Sequence, residues 1–223
     1  MEGRESLMES TAVAELIRRP VTMGRGELRD RELYRYLGLK QGEVSGEMEA
    51  AVEEHLRELL SLVKIRQVAE LLPLTVAEGE ITLGGLNIHS KALAKNLRGT
   101  THALIFAMTL GTAVDRRIHS LSRLRPASAF MVDQMATEVL EGACNKWLRA
   151  IGREARALGY ELRPRFSPGF ADFSLDHQEE ILELLRAKSR IHLAITEGKM
   201  LVPTKSITAL AGFLPAPSHK EEI

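Results

Sequence analysis

The stretch HALIFAMT, His102 to Thr109, is an apolar run with the length of a buried strand. The run stops at Leu110-Gly111. Thr112 to Asp115, which follows at once, has the spacing of a capping box that opens a helix. The sequence therefore predicts a buried strand that leads directly into a helix.

The segments on either side of this run alternate between helical and strand-like patterns. Apolar residues at helical spacing predict helices over 46–63 and 127–157. Ser90 can cap a short helix that runs through Leu97, and another helix is expected over 175–189. Strand-like stretches cover 65–81, with breaks expected at Pro73 and Gly79, and then 160–163, 195–202 and 206–213. Gly84-Gly85 is predicted to form a turn. Long helices interspersed with strands and a terminal hairpin indicate an α+β fold rather than a regular βαβ alternation.

The two ends of the chain are expected to be peripheral. The N-terminal part is rich in charge and has one short apolar stretch, Val13 to Ile17, which predicts a frayed helix followed by a linker. The C-terminal part contains two prolines and ends in charged residues, which is typical of a loose tail. The sequence thus predicts an extension over 1–25, a single domain over 26–214 and a tail over 215–223.

The composition argues against several classes of protein. Thirty basic and 30 acidic residues leave no net charge, which argues against a nucleic-acid binder that relies on a positive field. The single cysteine, Cys144, excludes a disulfide framework, and we expect it to be a small buried side chain on the long helix. No apolar run approaches the ~20 residues that span a bilayer. The first ten residues hold no apolar signal core, so we expect a cytoplasmic protein.

Familiar catalytic motifs are absent from the sequence. It contains no G-x-G-x-x-G, no P-loop and no G-x-S-x-G. None of the seven histidines forms H-x-x-x-H or H-x-H, so no metal-site spacing is found. The sequence alone therefore predicts neither a nucleotide hydrolase nor a metalloenzyme, and whether the chain is itself an enzyme stays open.

The richest segment is 163–178, RPRFSPGFADFSLDHQ. Pro168 fixes φ and Gly169 permits positive φ, so Ser167 to Phe170 is predicted to form a tight turn. The guanidinium of Arg165 is suited to a carboxylate, and the ring of Phe170 can stack on a base. Together these groups could hold an amino-acid-like ligand that carries an aromatic base. The alternative is an ordinary loop with a surface arginine.

The same segment carries a resemblance to a known family. Its pattern R-x-S-P-G-[FY]-x-D-x-x-L-x-x-Q resembles the S-adenosylmethionine-binding loop of the activation domain of cobalamin-dependent methionine synthase. The matching residues are Arg165, Ser167, Pro168, Gly169, Phe170, Asp172, Leu175 and Gln178. A second block, LAITEGKMLVPTKSITALAGF (193–213), resembles the L-T-E-S-x-x-M-x-P-x-x-S-V-S stretch of that domain. Order and spacing hold over about 30–213, so the chain looks like a free-standing form of the domain.

The resemblance implies a single C-shaped α+β domain with a central twisted antiparallel sheet and flanking helices. It also implies that S-adenosylmethionine binds in a shallow groove. In the family, cobalamin that has oxidised to cob(II)alamin is methylated again from S-adenosylmethionine while a flavodoxin-like donor supplies an electron. A cobalamin-binding D-x-H-x-x-G motif is absent here. The implied partner is thus a separate methionine synthase that carries the cobalamin and lacks its own activation domain; neither nucleic acid nor membrane is implied.

The resemblance assigns roles to the residues of the loop. Arg165 matches the arginine that pairs with the α-carboxylate of the ligand. Ser167, Pro168 and Gly169 match the turn whose backbone meets the adenine and the ribose. Phe170 stands where the family has a tyrosine, so ring stacking is expected to persist while the hydroxyl is lost.

The long helix is expected to supply the opposite wall of the site. Asp133, Thr137 and Glu141 are spaced i, i+4 and i+8, so they share one line along that helix. The family has an acidic residue corresponding to Asp133. It can have a ligand-contacting glutamate at the place of Thr137, whereas here the adjacent Glu138 is turned about 100° away. A solvated helix edge is the alternative interpretation of this line.

Two further contacts are implied by the second block. Ala211 and Gly212 occupy positions where the family has aromatic residues near the ligand, so only backbone contacts are expected there. The family also uses an aspartate near the start of its domain. We find no counterpart of that aspartate within residues 1–60.

Three other functions remain open at this stage. The same fold could serve a different corrinoid protein as its client. It could be a methyltransferase that acts on a small molecule without any corrinoid. It could also be a binding or assembly module that has lost the ligand, since Phe170 and Thr137 both depart from the family pattern.

Overall fold

The computed structural model describes residues 6–39 and 45–216. The helices are α1 (Thr11–Arg18), α2 (Asp30–Tyr36), α3 (Gly46–Leu62), α4 (Lys91–Asn96), α5 (Thr112–Leu124), α6 (Pro126–Ala157), α7 (His177–Leu184) and α8 (Ala187–Ile191). The strands are β1 (Arg66–Ala77), β2 (Glu80–Leu83), β3 (Leu86–His89), β4 (His102–Thr109), β5 (Tyr160–Leu162), β6 (Ala194–Ile195), β7 (Leu201–Val202) and β8 (Ser206–Pro215).

An antiparallel six-stranded sheet with the order β3-β2-β1-β4-β8-β5 forms the centre of the molecule. Strand β4 pairs with β1 on one side and with β8 on the other along its whole length. Every residue from Ala103 to Thr109 is buried. The prediction of a strand buried on both faces is therefore confirmed.

Helices cover both faces of this sheet. Leu104, Phe106 and Met108 of β4 face the core that α1, α2, α3, α5 and α6 share. Ala103 and Ile105 alternate with them and face the core that α4, α7 and α8 share. An antiparallel sheet flanked by helices confirms the predicted α+β class.

The N-terminal segment belongs to the main core. Leu7 and Val13 are 1% and 0% exposed and pack against α6 with the rest of that core. The indole Nε1 of Trp147 on α6 donates a hydrogen bond to the carbonyl oxygen of Leu16 at 3.0 Å. The prediction that residues 1–25 are peripheral is thus wrong for much of 6–25, because Leu7, Val13 and Val21 belong to the buried core, although Met8 is exposed. The core continues across the boundary that was predicted at residue 26.

Strand β1 runs straight through Pro73, where a break was predicted. It pairs with β4 up to Pro73 and with β2 from Leu74 onward. The proline therefore lies where the strand changes partners. A missing N–H is tolerated better at such a junction than in the middle of a ladder.

The predicted capping box at the start of α5 does not form. The N-cap of α5 is Gly111, which has no side chain that could accept a capping hydrogen bond from a backbone N–H. The carboxylate of Asp115 instead accepts hydrogen bonds from the backbone N–H of Thr204 at 2.7 Å and from its hydroxyl at 2.9 Å. Asp115 thus fixes the turn before β8 rather than its own helix.

The elements near the C-terminus are shorter than predicted. The single helix expected over 175–189 is two helices, α7 and α8, because Arg186 between them is left-handed. The stretch 195–202 forms a separate two-stranded ribbon of β6 and β7 instead of a long strand. Pro215, predicted to begin the tail, pairs with Tyr160 as the last residue of β8, and residues 217–223 of that tail lie outside the described residues.

The packing of the N-terminal segment can be tested with two neighbouring residues. Leu7→Ala removes a side chain that is 1% exposed and should lower the free energy of unfolding by about 2 kcal/mol or more. Met8→Ala, at a position that is 47% exposed, is the matched control and should leave stability nearly unchanged. Urea unfolding of both variants provides the measurement, and equal stabilities would show that the segment is peripheral after all.

Candidate functional site

The predicted binding loop continues from β5 along the same edge of β8, beyond the three residues that β5 pairs with. The N–H of Arg163 donates to the carbonyl of Gly212 at 2.8 Å, and Phe166 and Leu210 exchange backbone hydrogen bonds at 2.8 and 2.9 Å. The chain then turns, and the N–H of Phe170 donates to the carbonyl of Ser167 at 3.2 Å. Gly169 has a φ of +87°, as this turn requires. The predicted tight turn is therefore confirmed.

Asp172 anchors this loop to the start of α4. Its carboxylate accepts hydrogen bonds from the hydroxyl of Ser90 at 2.5 Å and from the N–H groups of Lys91 and Ala92 at 2.8 and 3.2 Å. Ser90 also caps α4 as predicted, because its hydroxyl oxygen accepts from the N–H of Leu93 at 3.0 Å. The bonds from Ser90 and from the helix N-terminus hold the pKa of Asp172 below its usual range.

Phe170 presents its ring to solvent at the tip of the loop. The ring is 64% exposed. It packs nearly perpendicular to the ring of Phe166, with 5.1 Å between the ring centroids and an interplanar angle of 80°. Phe166 in turn packs on Phe173, which is 1% exposed. A buried aromatic pair thus supports one ring whose face is free to stack.

Arg165 lies against the long helix α6. Its Nη1 donates to Oδ1 of Asn145 at 2.6 Å, and its Nη2 forms an ion pair with Glu141. The side chains of Arg165 and Glu141 are 19% and 30% exposed. The site therefore contains a positive and a negative group, side by side and within reach of solvent.

A second ion pair lies further along the same face of α6. The Nζ of Lys205 is 2.8 Å from Oδ1 of Asp133 and donates to the hydroxyl oxygen of Thr137 at 3.0 Å. The hydroxyl of Thr137 donates in turn to the carbonyl of Asp133 at 3.1 Å. Cations from two other segments thus contact the predicted line along α6, Arg165 at Glu141 and Lys205 at Asp133 and Thr137.

Sequence reasoning missed two residues of this site, Asn145 and Lys205. Asn145 stands four residues after Glu141, so one more step of the i, i+4 spacing would have found it. Lys205 comes from the turn before β8, and only the tertiary fold brings it to α6. Nothing in the local sequence signals that contact.

The structure does not bring Ala211 and Gly212 to this groove. Both are buried within β8, and the carbonyl of Gly212 already accepts from Arg163. A Cβ placed on Gly212 would lie 2.6 Å from Cδ2 of Leu97, so α4 covers the strand closely. The expectation that these two residues contact a ligand is not supported.

Glu138 is turned away from its neighbour Thr137, which contacts Lys205, and lies on the side of α6 next to Glu141. It is 8% exposed and lines a hollow of about 500 Å³ between α6 and residues 23–36, which include α2. Burial is the main cause that raises the pKa of its carboxyl, and the nearby Glu32 adds to the effect. The same hollow is lined by Glu141 and Asn145, so it adjoins the Arg165 site.

No reactive cysteine or metal cluster is found in the part of the chain that the structure describes. Cys144 is buried on α6 with its Sγ 3.7 Å from Sδ of Met108, and burial raises the pKa of its thiol to about 12. Within the described residues, no three His, Cys, Asp or Glu side chains are grouped to hold a metal ion. Of the helices described, none is both long and apolar enough to span a bilayer.

Comparison with known proteins supports the fold. No family model matches the sequence, and no curated protein sequence matches it. The structure is similar to the crystal structure of the MetH reactivation domain bound to AdoHcy, with a TM-score of 0.64. The match covers 94% of this chain and 78% of that one at 14% sequence identity. The chain thus has the fold of that reactivation domain, as the sequence predicted.

The role of Asp172 gives a prediction for the pH dependence of stability. A lowered pKa in the folded state means that the carboxylate stabilises the fold above the usual Asp pKa of about 3.9, and that this contribution is lost as pH falls through the lowered pKa. Asp172→Ala should therefore melt at a lower temperature than wild type at pH 7. The difference should shrink at progressively lower pH.

Thermal melts from pH 7 to pH 3 measure this difference. Glu54→Ala, which removes an exposed carboxylate from α3, is the control and should follow wild type at every pH. A melting-temperature difference between wild type and Asp172→Ala that does not change with pH would contradict the assignment.

Proposed function

We propose that this chain binds S-adenosylmethionine between α6 and the 165–170 loop and presents its methyl group to cobalamin on a separate methionine synthase. The observation that carries the proposal is the accessible Arg165–Glu141 pair beside the Ser-Pro-Gly-Phe turn. The similarity to the fold of the MetH reactivation domain supports it.

The Arg165–Glu141 pair suits the amino-acid end of the ligand. That end carries a carboxylate and an ammonium group on one carbon. Insertion of the ligand replaces one ion pair by two, with the carboxylate on Arg165 and the ammonium on Glu141. Because Arg165 must first leave Glu141 and Asn145, part of the binding energy is offset, and we expect modest affinity.

The loop supplies a surface for the rest of the ligand. The ring of Phe170 can stack on the adenine, since it is largely exposed and Phe166 supports it from one side. Gly169 has no side chain, so a ligand can approach the backbone of the turn closely. Asp133, Thr137 and Lys205 bound the far end of the helix wall, where Asp133 lies roughly 12 Å along the axis from Glu141.

The reaction needs no nucleophile from this chain. The client's cobalamin, once reduced by one electron from the donor, would accept the methyl group, and S-adenosylhomocysteine would be left on this chain. The protein has to position the sulfonium and exclude water. The buried Cys144 thiol, with its raised pKa, agrees with a purely positioning role.

Exposed apolar side chains beside the loop suit a client that docks and leaves. The side chains in question are Phe170, Leu175, Met200 and Val202. The ribbon that carries the last two lies against α7, since Nε2 of Gln178 donates to the carbonyl of Lys199 at 3.1 Å. We propose that this rim meets the protein that carries the cobalamin.

Binding of S-adenosylmethionine should depend on Arg165 and on the carboxylate of the ligand together. Arg165→Ala should weaken binding about 10- to 100-fold, because a charge-assisted pair is lost. Decarboxylated S-adenosylmethionine should bind wild type about as weakly as S-adenosylmethionine binds Arg165→Ala. The two changes combined should be far from additive, because they remove the same contact. Isothermal titration calorimetry measures all four affinities.

These four affinities form a cycle of one change in the protein and one in the ligand, and Arg123→Ala is its matched control. It removes an exposed arginine from α5, away from the loop, and should keep wild-type affinity. Additive losses in the cycle would mean that Arg165 and the carboxylate do not meet, and equal affinity of wild type and Arg165→Ala would remove Arg165 from the site.

A further inference from the structure

A second groove lies on the other side of Arg165, between α6 and the β5 edge of the sheet. It has a volume of about 710 Å³. We call it the arginine groove, after the residues Arg149, Arg153, Arg156, Arg163 and Arg165 that line it. The volume is within the ~300–1,000 Å³ range that is usual for small-ligand sites.

The positive charge of this groove is not compensated. Among residues 6–39 and 45–216, only Arg165 of the five arginines forms an ion pair. Of the described residues that line the groove, Glu161, which is exposed, is the only acidic one. The Nε of Arg163 is buried without an acceptor in the same described part of the chain. Because the chain has no net charge overall, this is a local excess that an anion would offset.

The arginines stand on two facing walls. Those on α6 are spaced i, i+4 and i+7, so they form one stripe roughly 10 Å long. Arg163 and Arg165 are two residues apart on the extended segment after β5, so they share its other wall. The walls meet closely at the floor, where a Cβ on Gly152 would lie 3.4 Å from Cβ of Leu162.

We propose that the arginine groove is a binding site for a small ligand that carries a chain of two or three phosphates. Guanidinium groups that approach from two walls need an anion with oxygens on several sides. A phosphate offers such oxygens, whereas a carboxylate offers only two in one plane. The length of the stripe on α6 can accommodate more than one phosphate. The groove shares Arg165 and Asn145 with the proposed S-adenosylmethionine site, whereas Arg153 and Arg156 belong to the groove alone.

Inorganic tripolyphosphate is the probe that tests this site. It should bind the full chain at low ionic strength, with an affinity that falls steeply as salt is added. The double variant Arg153→Gln/Arg156→Gln should bind it at least about tenfold more weakly. The matched control Arg116→Gln/Arg123→Gln makes the same change of charge on exposed residues of α5 and should bind like wild type. Both double variants should keep wild-type affinity for S-adenosylmethionine, which separates this site from the other.

Two results would overturn the proposal. One is the absence of tripolyphosphate binding, and the other is an equal loss of affinity in the two double variants. An oligoglutamate peptide is the second probe. If the peptide binds through Arg153 and Arg156 while tripolyphosphate does not bind, the groove is a docking surface for an acidic protein, and a phosphate site is excluded.

Discussion

The burial of β4 on both faces is the constraint on which the rest of the structure depends. Its apolar side chains point alternately to two cores, so helices must cover both sides of the sheet. Its neighbours β1 and β8 are fixed along its full length. The part of β8 that β5 leaves unpaired is then the place where the 163–170 segment attaches, beside the long helix α6.

The site follows from that placement. The loop is tied to β8 through Phe166 and to α4 through Asp172, so its turn is held at both ends. Arg165 then meets Glu141 on α6. The chemistry of the groove is therefore set by rigid elements and paired charges rather than by a reactive side chain, which suits a protein that positions a reactive ligand.

The sequence was most informative where a pattern is local. The apolar run of β4, the long helix and the turn at Gly169 were all predicted. Burial, helical period and backbone conformation each restrict which residue types occur at neighbouring positions in the sequence. Contacts between segments that are distant in the sequence produce no such local pattern. The ion pair of Lys205 with Asp133 and the use of Asp115 to hold Thr204 were missed for this reason. The packing of the N-terminal segment was missed because its short helix buries only Val13.

Reconstitution with a separate client tests the central claim most directly. The chain would be mixed with a methionine synthase that lacks its activation domain and is loaded with inactive cob(II)alamin, together with S-adenosylmethionine and a one-electron reductant. The account predicts that the absorbance spectrum of methylcobalamin appears only when this chain is present, together with S-adenosylhomocysteine. An unchanged spectrum, from a client that does recover with a known activation domain, would contradict the account.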